Sequence, residues 1–299
     1  MTGYGTARRR PGISRLAAQR ATLDGAMPRV AIDFKRREAA IGGGSRPVAA
    51  LPGLSFTEAG TRYVANAAGL LVPFGPDVLP MAAGVGLKLS DAITNLHPRS
   101  EDIGGSGWTT LGASVSSNAL ADPAGGTGMD LITDSGSGGG YTRYGPLTVE
   151  AETEYTFSFW AHITAGTAAW RAYDVSNSTQ IDQAVYPAGS LARKDFQFTT
   201  PAGCTSVYVY PVYNLSASAA AGVWGAQVNA GGSALDYVPT AGVSAGTGAS
   251  SFTLDTAALG LSDTQTFNYE RDGGSTGTIA AVGGTLTLPN GFTWEALWT

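Results

Sequence analysis

The sequence is short of the residues on which many kinds of protein chemistry depend. Its 299 residues include one cysteine, Cys204, and two histidines, His97 and His162. A single cysteine excludes an intramolecular disulfide and a thiolate zinc cage within one chain. The two histidines lie far apart and show no metal-site spacing. Only 14% of the residues are charged, whereas about 25% is usual for a soluble domain.

Long apolar runs are also absent. No stretch reaches the roughly 18 residues that a membrane-spanning helix needs. The basic N-terminus is not followed by an apolar signal core, so we expect a chain that folds in the cytoplasm without Sec-type export. The 42 glycines and the 43% share of hydrophobic residues favour many short strands and tight turns over long helices or disorder.

Charge is distributed unevenly along the chain. Residues 1–50 hold ten basic and three acidic residues, a net charge of +7, whereas the remaining residues hold eight basic and 20 acidic ones, a net charge of −12. This asymmetry indicates a basic segment on an acidic body. The segment has almost no interleaved aromatic residues, which argues against nucleic acid as its partner and favours an acidic protein surface. The clustered candidates for attachment are Arg8, Arg9, Arg10, Arg36 and Arg37.

Turn-forming residues divide the chain into four predicted regions. Residues 1–47 are interpreted as a basic attachment arm that ends at a glycine-rich break, needed for assembly but not for folding. Residues 48–98 are predicted to be short connecting strands, residues 99–240 a β-sandwich, and residues 241–299 a small β-rich tip. The last eight residues are strongly apolar, and about 50 residues form a marginal core for them. We therefore predict a homo-oligomer, in which subunit contacts cover the residues Phe292, Trp294, Leu297 and Trp298.

Residues 155–162 show the clearest strand pattern of the predicted sandwich. Alternate residues are predicted to face the core, namely Tyr155, Phe157, Phe159 and Ala161. The residues between them are predicted to form a half-exposed face, namely Thr156, Ser158, Trp160 and His162. In 206–213, Tyr208, Tyr210 and Val212 are predicted to lie opposite Val207, Val209 and Pro211. The fold class is therefore predicted to be all-β, with an antiparallel sandwich as its main part.

Four motifs between residues 54 and 240 resemble those of a family of virion proteins. They are L-S-F-T-E-A-G-T-R-Y-V at 54–64; T-N-L at 94–96 with R-S-E-D at 99–102 and G-W-T at 107–109; T-E-Y-T-F-S-F-W-A at 153–161; and G-V-W-G-A-Q-V at 222–228 with Y-V-P-T at 237–240. In order and spacing they are similar to bacteriophage and gene-transfer-agent virion proteins, which include head spikes and tail fibres. The resemblance does not extend to residues 1–47 and 241–299, and residues 82–93 lack the family's usual lead into T-N-L.

The resemblance implies a jelly-roll sandwich like that of carbohydrate-binding modules. It also implies a virion protein, assembled in the bacterial cytoplasm, that joins other virion proteins through its arm and binds a host surface polysaccharide. A head spike or fibre is the first interpretation. A tail fibre or baseplate protein, and a capsid decoration protein without a ligand, are the alternatives.

Aromatic residues of the sandwich are the candidates for glycan binding, because the apolar face of a pyranose ring stacks on a flat side chain. Trp160 is predicted to line a groove, and Tyr208 and Tyr210 are predicted to form an exposed pair. Trp108 and Trp224 lie in the motifs and are predicted to be core residues. The candidate set is Trp160, Trp170, Tyr173, Tyr208 and Tyr210, with Tyr186 and Tyr213 as further aromatic material.

No catalytic constellation stands out in the sequence. There is no nucleophile elbow, and the glycine run 136–140 lacks the lysine and hydroxyl residue of a phosphate loop. We therefore expect a protein that is not an enzyme and that needs no catalytic cofactor. A structural calcium ion, common in jelly-roll modules, has scattered candidate ligands in Asp122, Asp130 and Asp236, and its site is left unassigned.

Overall fold

Antiparallel strands make up almost all of the regular structure. The structure, a computed structural model, describes residues 29–41 and 44–299. In chain order its strands are β1 (Val30–Asp33), β2 (Glu38–Ile41), β3 (Gly44–Pro47), β4 (Leu54–Thr57), β5 (Arg62–Ala65), β6 (Leu71–Phe74), β7 (Met81–Ala82), β8 (Gly86–Leu89), β9 (Ile93–Asn95), β10 (Trp108–Leu111), β11 (Ala113–Leu120), β12 (Met129–Asp134), β13 (Tyr141–Thr148), β14 (Glu154–Asp174), β15 (Thr179–Thr199), β16 (Ser206–Tyr213), β17 (Ala220–Ala230), β18 (Ala245–Thr247), β19 (Ser251–Asp255), β20 (Thr266–Arg271), β21 (Ser275–Ala280), β22 (Thr285–Leu288) and β23 (Phe292–Trp298). Two single-turn 3-10 helices occupy Val48–Ala50 and Ala257–Leu259. In the described ranges no helix has the length and apolar character to cross a membrane.

The sandwich is built from β10–β17 around one long hairpin. Strands β14 and β15, of 21 residues each, pair along their length, so β15 occupies one edge of β14. The other edge of β14 pairs with β17 over residues 155–165 and with β16 over residues 169–174. The hairpin therefore belongs to two sheets, β10-β13-β16-β14-β15 and β15-β14-β17-β12-β11. This arrangement confirms the predicted antiparallel sandwich of jelly-roll type.

The core of the sandwich lies between these two sheets. Tyr155, Phe157 and Phe159 face it as predicted and are at most 4% exposed. They join one cluster with Val207 and Val209 of β16. Each large apolar side chain buried in this way contributes about 1.5–3 kcal/mol to folding. The hairpin passes from one sheet to the other at the exposed residues 164–167, where its pairing register shifts.

The two ends of the described chain share a second core. Strand β1 lies between β2 and β23, so that Ile32 pairs with Leu297 across 265 residues of sequence. Phe34 packs edge-on against Phe252, at 6.0 Å between ring centroids. Strands β1, β2, β4, β7, β8 and β19–β23 contribute to this core. We term them, together with the exposed strand β3 that pairs with β2, the terminal unit.

The terminal unit differs from the predicted division of the chain. Residues 30–47, predicted as part of an arm, form three of its strands, and residues 251–298 form five more. The alternation in 30–34 shows a strand, but a local pattern cannot show that its partner is at the other end of the sequence. The part of the predicted arm before residue 29 lies outside the described residues.

The apolar C-terminal residues are covered within the chain. Trp294 and Leu297 are fully buried, and Phe292 and Trp298 are half-buried. The N-terminal strands and β7–β8 pack against these residues, so the core is larger than the C-terminal region of about 50 residues could form alone. The homo-oligomer stays a prediction, but these residues no longer provide a reason for it.

The sandwich is inserted into the terminal unit through a two-stranded stalk. Strand β9, which precedes the sandwich, pairs with β18, which follows it. The hairpin β5–β6 lies between the two bodies. Tyr63 and Leu71 of this hairpin pack with aromatic residues of the sandwich, whereas Val64 and Phe74 pack with Ala82.

The motifs behind the virion resemblance meet where the sandwich closes. Asn95 is fully buried, and its Nδ2 donates hydrogen bonds to the carbonyls of Ala226 (3.2 Å) and Val238 (2.9 Å). Its Oδ1 accepts hydrogen bonds from the amides of His97 and Val228. These bonds use both amide donors and both acceptor sites of the side chain. The T-N-L motif therefore ties three segments together.

The R-S-E-D and Y-V-P-T motifs extend this junction. The Tyr237 hydroxyl donates to Glu101 Oε1 (2.9 Å) and shares a second hydrogen bond with the Ser100 hydroxyl (2.7 Å). The Thr240 amide also donates to Ser100 Oγ, at 2.8 Å. Gln227 of the W-G-A-Q motif accepts a hydrogen bond from the Val238 amide. The polar residues of the motifs thus stabilise the fold.

A buried histidine behind this junction makes stability depend on pH. The His97 ring lies 5.0 Å from that of Trp108 and 4.3 Å from that of Tyr144, and its Nε2 has no hydrogen-bond partner among the described residues. Burial lowers the pKa of His97 from 6.5 to about 3. Between pH 6.5 and about pH 3, His97 is protonated in the unfolded chain and neutral in the folded chain. The free energy of unfolding therefore falls as the pH falls through this range.

We expect this group to lower the free energy of unfolding by about 2 kcal/mol between pH 7 and pH 5. Urea unfolding at pH 7 and at pH 5 measures this difference in the free energy of unfolding. In His97→Phe, which keeps an aromatic ring beside Trp108, that part of the pH dependence should be lost. An equal pH dependence in the two proteins would contradict the assignment.

Candidate functional site

Five tyrosines and two arginines share the outer face of the sheet β10-β13-β16-β14-β15. Their strand neighbours Thr142, Ala172 and Val209 are fully buried and point to the core, so the alternate positions point outward. We term this set the tyrosine–arginine face. It consists of Tyr141, Arg143, Arg171, Tyr173, Tyr208, Tyr210 and Tyr213.

Strand register places the members of the face side by side. Arg171 is the cross-strand partner of Tyr210, and Tyr173 is the partner of Tyr208. Cross-strand partners lie on the same face and within contact distance. The Tyr173 and Tyr208 rings are nearly parallel, at 19° and 6.5 Å between centroids. The ring centroids of Tyr141 and Tyr210 are 5.6 Å apart.

A β-bulge adds Tyr213 to the face. Ala169 pairs with Tyr213 and Arg171 pairs with Tyr210, so that one residue of β14, Trp170, lies opposite two residues of β16. An extra residue of this kind reverses the alternation beyond it. Val212 is consequently buried in the core, which corrects the prediction that it shares a face with Tyr208 and Tyr210.

Each arginine of the face lies on tyrosine rings. The Arg143 guanidinium carbon is 3.8 Å from the ring centroid of Tyr208, and its Nη1 donates a hydrogen bond of 3.3 Å to the Tyr210 hydroxyl. The Arg171 guanidinium is 4.8 Å from the ring of Tyr173 and 4.7 Å from that of Tyr213. Attraction between a cation and a ring face holds both guanidinium groups over the tyrosine rings.

The face carries positive charge without a compensating acid. Among the described residues, neither arginine has a carboxylate oxygen within 4.0 Å. The Nε groups of Arg143 and Arg171 also lack hydrogen-bond partners there. Burial opposes the charge of Arg143, but the Tyr210 hydrogen bond and the nearby phenol oxygens outweigh it and raise the pKa of Arg143. Arg143 therefore keeps the charge that arginine side chains generally carry in proteins.

Neighbouring strands extend the face on both sides. On β15, the exposed Gln183 pairs with Arg171 and the exposed Gln180 pairs with Tyr173, which adds two amides at one edge. On β10, Leu111 pairs with Tyr141 and is 62% exposed. The face thus combines flat rings, hydrogen-bonding amides and two cations.

Two predicted glycan-binding residues lie elsewhere. Trp160 is 7% exposed, because the β5–β6 hairpin and Tyr237 cover the face on which it lies. Its ring centroid is 5.5 Å from that of Tyr237. This burial corrects the prediction that Trp160 lines a groove. Trp170 is 2% exposed and stacks on Phe196 in the core.

The other three predicted residues come together on the face. Tyr173 and Tyr208 are half-buried, whereas Tyr210 is 5% exposed and lies beneath the arginines. Sequence reasoning missed Tyr141, Arg143 and Arg171. The sequence pattern that could have identified them is Tyr-x-Arg on β13 and Arg-x-Tyr on β14. In each case x is a small residue that faces the core.

The described attachment candidates lie on the terminal unit. Arg36 and Arg37 occupy the exposed turn between β1 and β2. The Arg36 amide donates to Asp33 Oδ1 at 3.0 Å. Arg8, Arg9 and Arg10 lie outside the described residues.

The three candidate calcium ligands have separate partners. Asp122 accepts hydrogen bonds from amides of its own loop, and Asp130 accepts from the amides of Ile103 and Asn118. Asp236 forms ion pairs with basic residues. Across residues 29–41 and 44–299, no group of three or more His, Cys, Asp or Glu side chains is placed to hold a metal.

A cleft of about 230 Å³ lies between the stalk and the C-terminal strand. Residues 88–93, 234–236 and 291–293 line it. Of its charged residues Lys88, Asp91 and Asp236, Lys88 and Asp236 pair with each other.

Comparison with known proteins gives similarity to solved structures alone. No protein-family model matches the chain. No curated protein sequence matches it either.

The similar structures include modules of carbohydrate-active proteins. One comprises the CBM22-1 and GH10 modules of Clostridium thermocellum endo-1,4-beta-D-xylanase 10B in complex with xylohexaose, at TM-score 0.34 and 11% identity, covering 47% of this chain and 28% of that one. Another is the enzymatically active domain of bacteriophage CBA120 tailspike protein 4, at TM-score 0.37 and 15% identity, covering 46% of this chain and 21% of that one. A third is the CBM22-1 xylan-binding domain of Paenibacillus barcinonensis Xyn10C, at TM-score 0.34 and 15% identity, covering 50% of this chain and 100% of that one.

This chain therefore spans about a quarter of the first two structures and all of the third. Similarities at this level assign no ligand and no activity to it.

Proposed function

We propose that the chain is a non-catalytic virion structural protein, a head spike or fibre, that binds a host surface polysaccharide. The observation that carries the binding role is the tyrosine–arginine face, a solvent-accessible set of flat rings, amides and cations on a rigid sheet. The virion role is supported by the four ordered motifs in residues 54–240.

The face has the chemistry that sugar recognition requires. The apolar side of a pyranose stacks on a tyrosine ring, and its hydroxyls exchange hydrogen bonds with phenols, amides and guanidinium groups. Tyr173 and Tyr208 lie on adjacent strands with an arginine over one side of each ring, so a sugar would stack on the side that the arginine leaves uncovered. Because both strands belong to a continuous sheet, the rings are held in place before the ligand arrives, which limits the entropy lost on binding.

Attachment to the particle is assigned to the basic N-terminal region. Arg36 and Arg37 are exposed on the terminal unit, and Arg8, Arg9 and Arg10 precede it in sequence. Their partners in this proposal are acidic surfaces of other virion proteins. Mass spectrometry of purified particles from a producing strain tests the location, and absence of the protein from those particles would refute it.

Replacing Tyr208 with alanine should weaken polysaccharide binding by about 5- to 150-fold, since one stacked ring contributes about 1–3 kcal/mol. Tyr208→Phe retains the ring and should bind nearly as well as the unmodified protein. The measurement is adhesion of purified protein to host cells with and without their surface polysaccharide. Val282→Ala, at an exposed position outside the sandwich, is the control for surface substitution. Equal adhesion to both cell types would refute the proposed ligand.

A further inference from the structure

We infer that the polysaccharide bound by the tyrosine–arginine face is anionic and carries carboxylate groups, which Arg143 and Arg171 recognise. This inference rests on the proposed function and narrows it to a substrate class. Stacking on tyrosine would accept neutral and acidic sugars alike, so the two arginines decide the selectivity.

The arginines of the face differ from an arginine that serves the fold. Arg62 is fully buried and pairs with Glu58 at 2.6 Å and with Asp236 at 2.5 Å. Its charge is neutralised within the protein. Arg143 and Arg171 are half-buried and lie on a body whose residues 51–299 carry a net charge of −12, yet no described carboxylate pairs with either of them.

The terminal Nη groups of the two arginines are the donors that suit a carboxylate. In Arg143, Nη1 donates to the Tyr210 hydroxyl. The Nε atoms of Arg143 and Arg171 are buried without a partner among the described residues, so the ligand would meet the Nη groups. The N–H groups of a guanidinium share one plane and match the two oxygens of a carboxylate, which an uncharged hydroxyl cannot do.

The spacing of the two arginines fits a polymer. Their guanidinium carbons lie 6.0 Å and 5.5 Å from the ring centroid of Tyr210, which is between them. Tyr173 and Tyr208 flank the same region and provide stacking surfaces. A chain of sugars lying over Tyr210 would therefore present substituents to both cations. Polymers that contain uronic acids have this chemistry, with a carboxylate on every ring or on every second ring.

The experiment compares acidic polymers with their own neutral derivatives. The probes are polygalacturonate, alginate and hyaluronate, each in its native form and after chemical reduction of the carboxyl groups to alcohols. Binding of the full chain is measured by calorimetry at low and high salt. We expect at least one native polymer to bind about tenfold or more tightly than its reduced form, and this preference to shrink at high salt.

Variants assign the preference to the face. Arg143→Gln and Arg171→Gln should each lose most of the preference for the native polymer and keep the weaker binding of the reduced one. Arg143→Lys retains the charge without the planar donors, and it should recover part of the preference. Arg271→Gln is the matched control, because Arg271 also lies on an aromatic ring, 3.5 Å from the centroid of Phe292, but belongs to the terminal unit. It should bind like the unmodified protein.

The outcomes separate this inference from the proposed function. Equal binding of native and reduced polymers that is lost in Tyr208→Ala would overturn the anionic inference and leave glycan binding in place. A preference for native polymers that survives both arginine substitutions would also overturn it. Binding of none of the six polymers would count against the proposed function as well.

Discussion

A chain that begins at Arg29 should fold like the full-length protein, whereas one that begins at Val48 should lose its terminal unit. The shorter chain lacks β1–β3 and with them Val30, Ile32 and Phe34, which are at most 1% exposed. Loss of a buried phenylalanine side chain alone costs about 3–5 kcal/mol. Domains are stable by only about 5–15 kcal/mol, so losing three core residues and the neighbour of β23 should exceed this margin.

Near-ultraviolet circular dichroism and thermal unfolding of the two truncated proteins measure the difference. Limited proteolysis shows which part is affected, because the sandwich has a core of its own and should resist longer. The sequence alone predicts that removal of residues 1–47 is harmless to folding. Equal melting temperatures for the two truncated proteins would favour that prediction over the structure.

Replacement of Arg62 should produce the largest effect of any single substitution of a charged residue. Arg62 Nε and Nη2 donate to the two carboxylate oxygens of Glu58, Nη1 donates to Asp236, and Nη2 also donates to the Lys88 carbonyl. These partners come from the terminal unit and from the loop after β17. Arg62→Met would leave the Glu58 carboxylate buried without a cation, and removal of one partner from a buried ion pair costs about 3–5 kcal/mol.

The matched control is Arg99→Met. Arg99 pairs with Asp102 at 3.6 Å, and the two side chains are 34% and 56% exposed. An exposed pair of this kind contributes at most about 1 kcal/mol. Chemical denaturation at pH 7 compares the two variants. Similar losses of unfolding free energy would show that the Arg62 network does not hold the hairpin between the two bodies.

Local patterns predicted the parts of the fold that depend on local alternation. The inward set Tyr155, Phe157 and Phe159 is buried as the two-residue period requires. The prediction that the opposite face of the same strand is half-exposed was wrong for Trp160. A hairpin that lies almost 90 residues earlier in the sequence covers this residue. A periodic pattern reports which residues alternate but not which face a distant segment covers.

The candidate site was only partly predictable for the same reason. Tyr208 and Tyr210 share a face by alternation within one strand, which the sequence shows. Arg143 and Arg171 join them through pairings between β13, β16 and β14, and no local pattern specifies those pairings. Tyr213 joins through a bulge, which alternation cannot anticipate.

The central claim is that polysaccharide binds on the tyrosine–arginine face, and ring-labelled tyrosine tests it most directly. Of the 12 tyrosines in the chain, five belong to the face. In nuclear magnetic resonance spectra, titration with the tightest-binding polymer fragment should shift the ring signals of Tyr141, Tyr173, Tyr208, Tyr210 and Tyr213. The signals of Tyr63 in the β5–β6 hairpin, of Tyr237 beneath that hairpin and of Tyr269 in the terminal unit should stay unchanged. Shifts at Tyr269 with none at Tyr173 or Tyr208 would contradict the account and place binding on the terminal unit.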